Sequence, residues 1–336
     1  MKTIAITGGG TGGHLVIAKA LKEAALAEGL EVIYFGSTYG QDRDWFENDS
    51  DFTARYFFKT SGVVNQGKLG KILALFKIVL AFFKARSLLK KHKIEAVVSV
   101  GGYSAAAASF AALSKKIPLF IHEQNATIGK LNRTLQSKAE AFFSSYCEDP
   151  VSYPVRAELF ERKRLREDVK TIIFLGGSQG AKAINELALS LASDLDAKGI
   201  NIIHQCGKNH LQTMQEAYKE LGIKVELFAF SEKIADYLDQ ADLAIARAGA
   251  STVWELTALQ LPAIFIPFPY AANDHQAANA QSHVDAKASW MMRENEIDRE
   301  EIIEIISRGV ESESKILGTL LEENGAKEII LKVLNV

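Results

Sequence analysis

The sequence predicts an α/β protein built from two doubly wound, Rossmann-like domains. Three observations carry that expectation. Short β-branched and aromatic runs alternate with longer helical stretches along the 336 residues. The runs are apolar almost throughout, as strands covered on both faces are. Each half also opens with a strand running into a glycine-rich turn, TGGGTGGH at 7–14 and LGGSQGA at 175–181.

In order, the first half places strands at 3–7, 31–36, 54–58, 95–100, 118–122 and 140–145. The second half places them at 171–176, 201–205, 224–228, 242–246, 263–268 and 289–292. The intervening segments are long enough for helical crossovers between parallel strands. The stretch YCEDPVSYPVRAELFERKRLREDVK, with two prolines and then mixed charges, marks the boundary. The expected domains are 1–155 and 156–320, with 321–336 as a closing helix packed back on the first domain. Ligands of open parallel sheets bind at the carboxyl ends of the strands, so both glycine turns are expected at a central cleft.

Composition narrows the function. The chain is 48% hydrophobic and 24% charged, as soluble globular proteins are. A net charge of -2 argues against a dedicated nucleic-acid binder. Two distant cysteines, Cys147 and Cys206, fit neither a disulfide framework nor a zinc site and point to a reducing cytoplasm. The opening run KTIAIT lacks the apolar core of a signal peptide. No stretch reaches the roughly 18 apolar residues that span a bilayer.

Gly8, Gly10 and Gly13 satisfy the G-x-G-x-x-G spacing between a strand and a helix. Such a turn lets backbone N–H groups approach a phosphate, or it is simply a tight turn. A dinucleotide fold also wants an acid at the end of its second strand. Here that strand ends YFGSTYG, and no acid follows until Asp42. His14, on the first turn of the helix, sits in a field that favours neutral imidazole, a candidate general base. A helix-start hydrogen bond or a substrate contact are its plainer roles.

The second turn, GGSQGAKAINE, lacks the ending of a Walker A loop, but Ser178 and Gln179 can donate to phosphate. Ala250, Ser251 and Thr252 then form a small-residue turn, with Glu255 one helical turn on. A carboxylate there suits the hydroxyls of a ribose, and Thr252 with Glu255 also fits a capping box. The run NDHQAAN offers Gln276 and Asn279 for sugar hydroxyls, with no second histidine at metal spacing. Two further strand-end loops, VSVGGYSAAAASFAA and FIHEQNATIGKLNR, add Gly101, Gly102, Tyr103, Glu123 and Asn125.

From Phe52 to Ile94 there are ten Lys or Arg and no acid. The segment 68–93 is apolar nearly all round, with Lys77, Lys84 and Lys91 spaced by seven. A basic amphipathic helix of this kind reads as a membrane-surface element. Its contacts are expected at Leu75, Phe76, Lys77, Val79, Phe82, Phe83 and Lys84. The alternative is a core helix with lysines along its exposed edge.

The ordered motifs GGGTGGH, GGYSAAA, HEQNA, GGSQGA, RAGASTVWEL and DHQAANA give the chain a close resemblance. It resembles, over nearly its whole length, the bacterial N-acetylglucosaminyltransferases of peptidoglycan synthesis. The resemblance implies the GT-B fold and transfer of GlcNAc from UDP-GlcNAc to the C4 hydroxyl of MurNAc in lipid I, with inversion, giving lipid II and UDP. It implies no cofactor and no catalytic metal. It implies a peripheral position on the cytoplasmic face of the inner membrane, against an anionic surface, and admits cell-wall synthesis or division proteins as partners. By the same resemblance His14 is the catalytic histidine, with Glu123 a second candidate for proton transfer. Gly10, Thr11, Gly12, Asn125, Arg156, Ser178, Phe230, Ser231, Ala250, Ser251, Thr252, Glu255 and Gln276 fall at donor-binding positions. Gly12, Gly13, Gly101, Gly102 and Tyr103 fall at acceptor-binding ones. Two departures stand out: Ile17 replaces a usual proline, and SYPVR replaces GNPVR ahead of Arg156.

Overall fold

The computed structural model describes residues 2–62, 67–177, 180–231 and 233–335. The chain divides into two compact units, Met1–Arg156 with Glu323–Val336, and Ala157–Glu322. The first unit runs β1 (Thr3–Thr7), α1 (Gly12–Ala27), β2 (Glu31–Ser37), α2 (Asp42–Phe46), β3 (Ala54–Phe58) and α3 (Lys68–Lys91). It continues with β4 (Ala96–Ser99), α4 (Ala106–Ser114), β5 (Leu119–Glu123), α5 (Lys130–Leu135) and β6 (Ala141–Ser144).

The second unit runs α6 (Ala157–Phe160), β7 (Thr171–Leu175), α7 (Lys182–Ala197), β8 (Asn201–Gln205), α8 (Leu211–Leu221) and β9 (Glu226–Phe228). It continues with α9 (Ile234–Gln240), β10 (Leu243–Ala246), α10 (Ala250–Ala258), β11 (Ala263–Phe265), α11 (His275–Asp285) and β12 (Trp290–Met291). Then come α12 (Arg299–Arg308) and α13 (Glu311–Leu320). The last helix, α14 (Gly325–Leu334), belongs to the first unit.

Each of the twelve apolar runs overlaps one of the twelve described strands, with β2 and β5 extending one residue beyond theirs. The first sheet is ordered β3-β2-β1-β4-β5-β6, and the second β12-β11-β10-β7-β8-β9. All ladders are parallel. The two orders are the same plan. In each, the first strand of the unit stands between strands reached by crossovers in opposite directions, which is a topological switch point.

Alternation along the strands shows why they are continuously apolar. In β7, Ile172 and Phe174 enter one core layer with Leu243 and Ile245 of β10. Ile173 and Leu175 enter the opposite layer with Ala244 and Ala246. Successive side chains point to opposite faces, and here both faces are covered.

In the first unit α14 packs on α1. Its N-cap Asn324 accepts from Ala326 N (3.0 Å), and its amide donates to Val155 O (2.8 Å). Ile17, the proline departure, is buried within an unbroken α1.

The switch point of the first unit depends on close backbone approach. Gly9 N donates to Gly101 O (3.2 Å). A Cβ on Gly102 would fall 2.2 Å from Gly9 O, and one on Gly8 2.5 Å from Gly101 O. Gly29 has a similar φ (+75° against +77°) but nothing within 4 Å of its Cβ position. Gly29→Ala is therefore expected to cost about 1–2 kcal/mol, the left-handed penalty alone. Gly102→Ala is expected to cost more than about 4 kcal/mol. Urea unfolding of the two variants checks this, and equal losses would show that the contact between the two turns is not limiting.

Candidate functional site

The first-unit residues singled out from sequence converge at the carboxyl ends of three adjacent strands. Gly10, Thr11, Gly12, Gly13 and His14 follow β1; Gly101, Gly102 and Tyr103 follow β4; Glu123 ends β5 and Asn125 follows it. Gly8, Gly9 and Gly10 have positive φ, as do Gly101 and Gly102. The Tyr103 ring lies against Gly10, where a Cβ would approach within 2.6 Å, and its hydroxyl donates to Tyr39 O (2.7 Å).

Thr11 is the N-cap of α1, but its Oγ1 meets His14 Nδ1 (2.9 Å) rather than a first-turn amide. The other edge of the His14 ring faces the β4 turn, since a Cβ on Gly101 would lie 3.5 Å from Nε2. His14 is partly buried, and desolvation lowers its pKa from 6.5 to about 4. The neutral form expected from the helix start is therefore produced by burial.

Next to it His122 is fully buried, with its pKa lowered to about 3 by desolvation and then by His14. Glu123 is buried, and its carboxylate organises the loop that follows. Oε1 accepts from Asn125 N (3.0 Å), and Oε2 from Gly129 N and Asn132 Nδ2 (both 2.9 Å).

Sequence reasoning passed over Asp42 as too late for a dinucleotide acid. Its carboxylate, fully buried, accepts from Gly10 N and from Ser37 N (2.8 Å). The relevant signal was the pairing of an acid after the second strand with an unbranched glycine run after the first.

In the second unit a pocket opens at the carboxyl ends of β7, β8 and β10. Gly177, Gln205, Arg247, Thr252 and Glu255 line it, with Leu238 of α9. The capping-box reading is corrected here. The N-cap of α10 is Gly249, so Thr252 lies inside the first turn, and Thr252 and Glu255 line the pocket one turn apart.

Ala250 and Ser251 are buried at the same helix start. Arg247 was not singled out. It donates to Ile266 O (2.9 Å) and Pro267 O (3.1 Å), pairs with Glu294 and stacks on Phe268, tying the β10 turn to the one after β11. Gln276 Oε1 accepts from Phe268 N (2.9 Å), and Asn279 donates to Ala248 O (3.2 Å).

Phe230, half exposed, and Ser231 follow β9. Ser178 and Gln179 lie outside the described residues. Arg156 is a buried residue at the end of the first unit's main segment. Among the described residues no group of three His, Cys, Asp or Glu could hold a metal ion.

Helix α3 buries an alanine-rich stripe, Ala74, Ala81 and Ala85 with Leu89, and packs on α4. Its other faces expose Leu69, Ile72, Leu73, Leu75, Phe76, Val79, Leu80 and Phe83. One stripe is thus a core element, as the alternative has it, while the exposed faces carry large apolar residues as well as lysines. Lys84 is exposed as well, whereas Phe82 is half-buried and Lys77 folds over the Tyr39 ring (5.3 Å). Among the described residues no helix is long and apolar enough to cross a membrane.

Residues 4–144 match the N-terminal domain of glycosyltransferase family 28, and residues 171–332 its C-terminal domain. The chain is 53% identical to the UDP-N-acetylglucosamine–N-acetylmuramyl-(pentapeptide) pyrophosphoryl-undecaprenol N-acetylglucosamine transferase of Sulfurovum sp. (strain NBC37-1), over 97% of each chain. It is 52% identical to the transferase of the same name from Sulfurimonas denitrificans, over 98% of each. The crystal structure of MurG from Acinetobacter baumannii is similar over 100% of both chains, with a TM-score of 0.78 and 26% identity. Two Rossmann-like sheets matched in this way define an enzyme of the GT-B class. The chain belongs to glycosyltransferase family 28.

The buried histidines make stability depend on pH. His122, His204 and His283 have pKa values lowered by desolvation to about 3, 4 and 4. An unfolded chain protonates them near 6.5. Between pH 6.5 and 4 the unfolded state therefore binds protons that the folded state refuses. Stability falls as pH falls through that window, by up to about 1.4 kcal/mol per pH unit for each histidine. Urea midpoints at pH 7 and pH 5 check this. His204→Gln, which can keep contacts to Tyr218 and Asn185, is expected to flatten the dependence.

Proposed function

We propose that the chain is an inverting N-acetylglucosaminyltransferase. It moves GlcNAc from UDP-GlcNAc to the C4 hydroxyl of MurNAc in lipid I, forming lipid II and UDP in peptidoglycan synthesis. The names of its relatives and its family support this reading. The observation that carries it is the second-unit pocket, where Glu255 and Thr252 stand at a helix start beside the Gly177 turn. A carboxylate there accepts from two ribose hydroxyls, and the helix start favours an anion.

In this reading the backbone of Ala250, Ser251 and Thr252 meets the nucleotide, and Phe230 and Ser231 take the uracil. Arg156 and Ser178 meet the diphosphate. Gln276 takes a GlcNAc hydroxyl, and Gly10, Thr11, Gly12 and Asn125 are the first unit's donor-binding residues. Gly12, Gly13, Gly101, Gly102 and Tyr103 hold the acceptor.

His14 is the general base. In the tautomer that donates Nδ1–H to Thr11 Oγ1 (2.9 Å), the lone pair lies on Nε2. A pKa of about 4 keeps it neutral at pH 7. The C4 oxygen attacks the anomeric carbon, its proton passes to Nε2, and the C1–O bond breaks with its electron pair leaving on UDP. Glu123, already accepting from four donors of the following loop and α5, orders that segment rather than taking the proton. Backbone N–H groups and Arg156 stabilise the charge that grows on the diphosphate.

His14→Ala is expected to lower turnover about 100- to 10,000-fold while leaving UDP-GlcNAc affinity in place. Release of UDP with a soluble lipid I analogue reads the first, and calorimetry the second. Near-normal turnover at saturating acceptor would remove His14 as the base.

The protein works at the cytoplasmic face of the inner membrane as a peripheral enzyme, with α3 laid on anionic lipid. The exposed apolar residues of α3, flanked by lysines, support this. Each apolar side chain withdrawn from water contributes up to about 1.5–3 kcal/mol. Replacing Phe76 and Phe83 together by Ser is expected to weaken sedimentation with anionic vesicles at least about 10-fold. Transfer to a short-chain soluble acceptor should stay unchanged. Undiminished vesicle binding would place the membrane contact elsewhere.

A further inference from the structure

The glycine loop after β1 is held from both sides. On the β4 side the contacts are backbone, Gly9 N to Gly101 O and Gly102 against Gly9 O. On the β2 side they come from two side chains. Tyr34 donates its hydroxyl to Gly8 O (2.8 Å), and the Asp42 carboxylate takes Gly10 N.

The carboxylate fills a slot made by missing side chains. A Cβ on Gly9 would lie 2.6 Å from Oδ1, and one on Gly36 2.9 Å from Oδ2. Its hydrogen-bond donors are two backbone amides, Gly10 N and Ser37 N. Burial raises its pKa, with those hydrogen bonds opposing the rise.

A buried carboxylate without a paired cation is costly, so a purely structural tie would be served as well by a neutral residue. Placed here it does something specific. Gly10 precedes Thr11, the N-cap that meets His14, so the Gly10 amide sets the direction in which α1 starts. The same tie removes that amide from phosphate binding.

We propose that Asp42 is a positioning residue of the transfer reaction, whose buried carboxylate fixes the Gly10 amide and thereby the start of the helix that carries His14. The inference rests on the proposed function. It assigns the loop a different task from a dinucleotide turn: the Gly10 amide is closed to anions, and the loop serves to aim an imidazole.

The test is Asp42→Asn, which keeps size but sets an amide NH₂ against one of the two N–H groups. The expected result is a loss of about 10- to 100-fold in kcat/KM for a lipid I analogue. UDP affinity without acceptor should stay within about twofold. The His14 imidazole, followed by NMR of ring-labelled protein, should titrate above about 4, toward 6.5, as the loop loosens.

Unchanged acceptor kinetics, or an unmoved His14 titration, would overturn the proposal. So would parallel losses of UDP affinity and thermal stability, which would mark Asp42 as scaffold only. If the amide–amide clash prevents folding, Asp42→Ser removes the clash and still cannot reach Gly10, and the same three readouts apply. A wild-type chain that transfers no GlcNAc would defeat the proposed function and leave the histidine titration to judge Asp42.

Discussion

Both candidate sites depend on one constraint: where the parallel strands end, the backbone approaches itself more closely than side chains permit. In the first unit Gly8, Gly9, Gly101 and Gly102 interlock after β1 and β4. In the second, a Cβ on Gly180 would fall 2.4 Å from Cys206 O, and one on Gly176 2.8 Å from Ala181 N. Parallel strands end in register, so their following turns crowd at one edge of the sheet. Removing the side chains there lets the next helices start close to the sheet with their N–H ends toward the ligand side.

The two units use this shared frame for different chemistry. In the second, the helix start of α10 carries Thr252 and Glu255 into a pocket with Gly177 and Arg247. Leu175, Ile234, Leu238 and Leu256 form its apolar wall, and Gln205, Arg247, Thr252 and Glu255 supply the polar groups, a mixture that suits a nucleotide with its ribose. In the first, the helix start of α1 carries a desolvated imidazole, and an acid occupies one loop amide from behind. That arrangement disfavours a second anion at Gly10 and favours a neutral hydroxyl beside His14. The carboxylate-bearing helix start and the imidazole-bearing one thus stand at equivalent places in two copies of one topology.

Much of this was legible in the sequence. The strands could be placed because runs such as TIIFL and LAIA bury both faces and leave no polar alternation to confuse the period. The glycine turns were legible because strand, glycine and helix follow in order. The role of Asp42 was not, because it depends on a contact between residues 32 apart in sequence, through a slot defined by Gly9 and Gly36. The capping-box ambiguity at Thr252 was also beyond sequence, because S/T-x-x-E fits equally a helix starting at Thr252 and one starting at Ala250. The sequence places His14 on the first turn of a helix but attributes its neutral state to the helix end, since burial of a first-turn histidine cannot be read from its sequence neighbours.

Helix α3 shows how small residues decide what a large apolar segment does. A helix of leucine, isoleucine and phenylalanine would ordinarily turn its bulkiest side chains inward. Here α3 packs on α4, and Ala81 and Ala85 share one core cluster with Ala107, Ala108, Ala111 and Ala112 of α4. Alanine on both sides brings the helices close, and the close approach leaves no depth for Leu75, Phe76, Val79 or Phe83. The large side chains are thus forced outward while the helix stays firmly docked by its small ones. Exposed apolar groups on a helix that also carries lysines and no acid are stable in contact with an anionic lipid surface. The same packing that docks α3 therefore also produces its exposed apolar surface.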